Sequence, residues 1–171
     1  VEKLAGEPVA AVGVDGCGAP LFALSTTGVA RAYNALVLAG PGTPERRVAD
    51  AMRTHPQWTS GTQREERRLM DAVPGLLVKC GAEGVDAFAL ADGRAGAVKI
   101  DDGAMRARTP VTVALLRALG VQKDHADAEG ARTDPEGVDE AVLDELAVVP
   151  VRGGGAVVGS IRPPSGLFTG I

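Results

Sequence analysis

Aromatic side chains are scarce: the 171 residues hold one Trp, one Tyr and three Phe. No core can be organised around stacked rings, so Val, Leu and Ala must fill it. Cysteine and histidine are equally thin, two of each, and Cys17 and Cys80 form no CxxC or finger spacing. Nothing in that usage points to an oxidising compartment, although a disulfide between the two remains open. No apolar run approaches the roughly 20 residues that cross a bilayer. The opening VEKLAGEPVAAVG lacks the charged-then-apolar layout of a secretory signal. The expectation is a soluble cytoplasmic protein with no membrane partner. Positive charge is also short. A net charge of −4 argues against a nucleic-acid partner, because phosphate binding needs clustered Lys and Arg. Arg is locally dense in ERRVADAMRTHPQWTSGTQREERR, but acids are interleaved with it, as on solvated helical faces.

What is present suffices for one domain over residues 1–171, since 45% of them are hydrophobic. Val29, Ala30, Tyr33, Leu36 and Val37 recur at helical spacing within Ser25–Leu38. A second helix follows in PGTPERRVADAMRTHP, with Thr43 as cap, Pro44 at its first position and Pro56 as its end. GTQREERRLMDAVPG gives a third, in which Thr62 and Glu65 match a capping box. The period then changes. LLVKCG and GVDAFALADGRAGAVKIDDG read as strands, the latter pair turning at Asp92-Gly93. TPVTVALLRALG, apolar almost all round, reads as a buried helix capped by Thr109 and closed by Gly120. Residues 123–145 are strongly acidic, a loop followed by a helix near Val138–Leu146. The end reads as two strands around Gly153-Gly154-Gly155, which do not fit a phosphate-binding GxGxxG. This is an α+β layout with a mainly antiparallel sheet packed with helices.

Two short clusters carry candidate chemistry. In VDGCGAP, Cys17 stands between glycines that allow positive φ and close approach of another group. It reads as a buried cysteine in a tight turn, a nucleophile or a metal ligand. A nucleophile needs a histidine nearby, and neither His55, at a helix end, nor His125, in the acidic loop, is an obvious base. Zinc wants about four ligands, more than this chain's own Cys and His readily supply. In LVKCGAEG, Lys79 is a cation inside an apolar strand, costly to bury. Either it snorkels to the surface or it points into a cleft to hold a carboxylate or carry a proton. Lys-x-Gly on an edge strand presents such a lysine in serine hydrolases of the β-lactamase type.

Taken together and in order, GVDGCGAPLFALSTTGVARAYNALV, RRVADAMRTHPQWTSGT and LMDAVPGLLVKCGAEGVDAFALADGRAGAVKIDDGAMRAR resemble the carboxyl-terminal half of the Rhizobium-etli-type L-asparaginases, the asparaginase II family. The resemblance covers residues 5–120 strongly and the last fifty weakly. It implies a fold of the β-lactamase and serine-glutaminase kind, a small amino-acid amide as substrate, hydrolysis of asparagine to aspartate and ammonia by serine–lysine pairs, and a possible homodimer. It also implies a zinc site beside the active centre, held by two cysteines and a lysine, so Cys17 and Lys79 are expected to converge on one cleft that another stretch of polypeptide completes. Carried across, Cys17 becomes a metal ligand and Asp15, beside it, a substrate-binding or orienting residue. Lys79 becomes the catalytic lysine and Gly81 the position that lets substrate approach the strand. Cys80 falls where relatives often carry Gly or Asp. The family's Ser-x-x-Lys and Cys-x-x-Lys motifs are absent: Ser25, Ser60, Ser160 and Ser165 are followed three places on by Gly28, Gln63, Pro163 and Phe168. The expectation is therefore the C-terminal part of a longer asparaginase-like chain, inactive alone. The alternative is a truncated, non-catalytic homologue acting as a ligand-binding or interaction domain.

Overall fold

The computed structural model describes residues 1–121 and 137–170. His125 and the acidic loop expected before Val138 lie largely outside those residues. A short helix α1 (Glu2–Ala5) leads to a hairpin of β1 (Ala11–Val14) and β2 (Pro20–Ala23). Four helices follow: α2 (Thr26–Leu38), α3 (Pro44–Thr54), α4 (Pro56–Ser60) and α5 (Glu65–Ala72). A three-stranded meander comes next, β3 (Leu77–Gly81), β4 (Val85–Ala89) and β5 (Ala95–Lys99). Then come α6 (Arg108–Ala118), α7 (Glu140–Leu146) and a closing hairpin of β6 (Val149–Gly153) and β7 (Ala156–Ile161). Every described strand pair is antiparallel. The layout is α+β as expected, but the described strands form three small sheets rather than one.

The caps explain where the helices begin, and also where expectation failed. Ser25 caps α2 by accepting from the Gly28 amide, and Thr43 caps α3 by accepting from that of Arg46. The capping box at Thr62 and Glu65 does not form. Arg64 occupies the cap of α5 without a side-chain bond, so Glu65 stands in the first turn rather than at its third position. Thr109 does not cap α6 either; that helix starts one residue earlier, at Arg108, and Thr109 is buried. Pro56 ends α3 as expected, yet it also starts α4, because proline suits a first helical position. The turn at Asp92-Gly93 is longer than a two-residue hairpin: β4 stops at Ala89 and β5 starts at Ala95.

Alternation along the meander sends side chains to two helical layers. Val78 and Phe88 face α5, α6 and α7, where Leu69, Val113, Leu116 and Leu143 complete the main core. Leu77 and Ala89 face the other way, against Val37 of α2 and Ala49 of α3. Phe88 is fully buried, which by area is worth about 1.5–3 kcal/mol. Gly96 permits this packing, because a Cβ there would come 2.7 Å from Phe88 Cζ.

The two terminal hairpins lie apart from this core. All eight residues of β1 and β2 are exposed, and so are most of β6 and β7. Val12, Val14 and Leu21 are 66%, 76% and 56% exposed, Val157 and Val158 59% and 66%. A lone two-stranded hairpin is marginal in water, and these apolar side chains stand uncovered.

Candidate functional site

Lys79 stands at the centre of β3, an edge strand of the meander. Its side chain leaves on the same face as Leu77, toward α2 and α3, while Cys80 leaves on the face of Val78, toward α5 and α6. Half-buried, Lys79 lines an open hollow of about 710 Å³ with Tyr33, Leu36, Met52, His55 and Trp58. Nζ donates to the Cys80 carbonyl oxygen at 3.0 Å and lies 3.6 Å from Cys80 Sγ. Among the described residues no carboxylate pairs with this ammonium, so it is available to an incoming acid or hydroxyl. Neither Ser25 nor Ser60 lines this hollow. Ser25 Oγ donates to Glu7 and accepts from Gly28, and Ser60 Oγ donates to the Pro56 carbonyl.

Cys17 sits elsewhere, at the tip of the first hairpin. The loop is closed by the Asp15 amide donating to Ala19 and the Gly18 amide donating to Asp15, with Gly18 at φ +82°. Asp15 takes the Gly16 amide on its carboxylate, and Cys17 Sγ lies 3.9 Å from its Oδ2. Both side chains are exposed. The reading of Cys17 as a buried filler is therefore overturned. No residue of this hairpin lines the hollow that holds Lys79; Val12 and Phe22 line a separate one with Val1 and Lys3. The structure thus brings Asp15 to Cys17 but does not bring that pair to Lys79. Among the described residues no group of three His, Cys, Asp or Glu is placed to hold a metal. Cys17 supplies one donor of the about four that zinc wants, so the described residues do not make a zinc site by themselves.

Gly81 ends β3 in the open, two positions past Lys79. A Cβ there would come 3.2 Å from Val85 Cβ, its partner across the hairpin, so close packing gives this glycine a place without any ligand. That turn places Glu83 and Gly84 at positive φ, 57° and 72°.

Sequence reasoning missed the charges behind β3. Glu66, Asp86 and Arg108 are buried together, with Thr112 donating to Asp86 Oδ2 at 2.8 Å. Burial pushes the Asp86 carboxyl up to about 6, against the pull of Arg108 and Thr112 and with the help of Glu66 and Glu65. Burial also opposes ionisation of Glu66, but contact with Cys80, its own backbone and Arg108 outweigh it and hold that carboxyl below its ordinary value. Tyr33, at the edge of the hollow, is pushed up to about 12 by burial and by the negative potential of Asp86 and Cys80, so its hydroxyl keeps its proton. Asp86 was visible in principle. It is a charge inside the apolar strand GVDAFALA, the same signal that picked out Lys79. His55 reaches the hollow from the end of α3, and Trp58 from the helix α4 that sequence reasoning did not foresee.

No helix among the described residues is long and apolar enough to cross a membrane. A sequence model of the L-asparaginase II family matches residues 1–163. No curated protein matches the chain.

Proposed function

Because the chain belongs to the L-asparaginase II family, we propose that it serves the hydrolysis of L-asparagine to L-aspartate and ammonia, with Lys79 as its catalytic lysine. The family match over nearly the whole length is the observation that carries this reading. Half-buried Lys79, which lines an open hollow and has no carboxylate partner among the described residues, supports this assignment. In one role Lys79, neutral, accepts the proton of a serine hydroxyl as its oxygen attacks the carboxamide carbon. The C–N bond then breaks, ammonia leaves with a proton, and water hydrolyses the resulting ester. In the other, Lys79 remains a cation and holds the substrate α-carboxylate. The serine comes from outside this set of residues, since no Ser-x-x-Lys occurs here and Ser25 and Ser60 are engaged elsewhere.

Another stretch of polypeptide, in this reading, completes the site, and the exposed apolar faces of the two hairpins suit such a cover. The same stretch would add donors to Cys17 and Asp15 and so create the zinc site that one thiol cannot. A fold of the β-lactamase and serine-glutaminase kind, a second copy of the chain as partner and a cytoplasmic setting belong to the same proposal. The test is ammonia release from L-asparagine by the intact protein, with L-glutamine as the comparison. Turnover of asparagine supports the reading, and its absence in a folded, zinc-supplied preparation refutes it.

A further inference from the structure

A buried ion cluster such as the one behind β3 is weak evidence for a role in stability. Arg108 is the first residue of α6, and a guanidinium in a first turn opposes the helix dipole. Its side chain is 3% exposed, with Nη2 2.6 Å from Glu66 Oε1 and Nε 3.4 Å from Asp86 Oδ1. Glu66 Oε1 and Asp86 Oδ1 hold it by charge, without in-line hydrogen bonds. Replacing such a buried cluster by well-packed hydrophobic side chains of similar volume often leaves stability unchanged or improved. Its position is the informative feature. Asp86 stands directly opposite Cys80 on the β3–β4 ladder. Cys80 adjoins both Glu66 and Arg108. The ammonium of Lys79 in turn leans on Cys80, through the carbonyl at 3.0 Å and the sulfur at 3.6 Å. An edge strand is paired on one side only and opens more readily than a central one. The cluster ties its Cys80 to α5, α6 and β4 at once.

We propose that Glu66, Asp86 and Arg108 are positioning residues that clamp β3 at Cys80 and thereby fix where the Lys79 ammonium rests in the hollow. The inference rests on the role given to Lys79 above. In the intact protein, the combined substitutions Glu66→Gln, Asp86→Asn and Arg108→Met keep volume and remove all three charges. Acylation of Lys79 by an amine-directed reagent is followed by mass spectrometry, with exposed Lys3 as internal reference, beside kcat and KM for asparagine. Lys79 labelling should rise several-fold, on the order of the loosening expected for a released strand end. In the same variant kcat should fall by up to about 10²-fold, the usual effect of a small misplacement, with KM moving less. Arg108→Lys keeps the charge but loses the fork that spans Glu66 and Asp86, so it should move both readouts part of the way. It carries the test alone if the triple variant does not fold. Unchanged Lys79 labelling and kcat in a folded variant would overturn the proposal. Raised labelling in a protein whose parent never hydrolyses asparagine would uphold the positioning and remove the assigned reaction.

Discussion

The Asp86 carboxyl offers a thermodynamic test that needs no substrate. Burial raises it from 3.8 to about 6 in the folded chain. An acid whose folded pKa lies above its unfolded one takes up a proton on folding. Its contribution to stability is therefore complete below about pH 3.8 and is lost as pH climbs through about 6. At about 1.4 kcal/mol per unit, the difference comes to about 3 kcal/mol between the two extremes. Asp86→Asn preserves the side-chain volume and an oxygen for the Thr112 hydroxyl, which donates to Asp86 at 2.8 Å. Urea unfolding of wild type and variant at about pH 4 and about pH 7.5 then isolates the titration, since any constant effect of the weakened Arg108 contact cancels. Wild type should gain about 2–3 kcal/mol relative to the variant on going from the higher pH to the lower. A gap between the two proteins that does not change with pH would refute the buried-carboxylate reasoning.

Further outcomes follow from other positions. Cys17→Ser should lower zinc bound by the intact protein, measured by elemental analysis, and unchanged content would dismiss ligation by that thiol. The single tryptophan, Trp58, is 85% exposed and lines the hollow with Lys79. Its emission should therefore shift on saturation with L-aspartate; an invariant spectrum alongside calorimetric binding would place the ligand elsewhere. Gly96→Ala would bring a Cβ 2.7 Å from Phe88 Cζ and 2.8 Å from Leu115 Cδ2. Such overpacking should cost about 1–3 kcal/mol in denaturant unfolding.

Local signals were legible where one residue decides one bond. Ser25 and Thr43 each cap the helix that follows, and the glycines at 153–155 turn one hairpin. Signals that depend on competition were not. Thr62 and Glu65 have the spacing of a capping box, but the helix begins later and the Thr62 carbonyl instead accepts from Arg67. Thr109 looked like a cap, yet Arg108 enters the helix ahead of it and meets Glu66 and Asp86. Lys79 could be picked from sequence because a cation in an apolar strand is costly wherever it occurs. Its surroundings could not, because Tyr33, His55 and Trp58 come to it from three separate helical segments. The separation of Cys17 from the hollow was equally invisible. Two motifs in one chain carry no distance between them, and among the described residues β1 and β2 pair only with each other.

The central claim is that the Lys79 ammonium carries the chemistry, and the most direct measurement is ammonia release from L-asparagine by the intact protein with Lys79 replaced by methionine. The stem of the side chain is kept, so the hollow should keep its shape and the protein its unfolding midpoint, while turnover falls to background. Turnover close to that of the wild type would contradict the account.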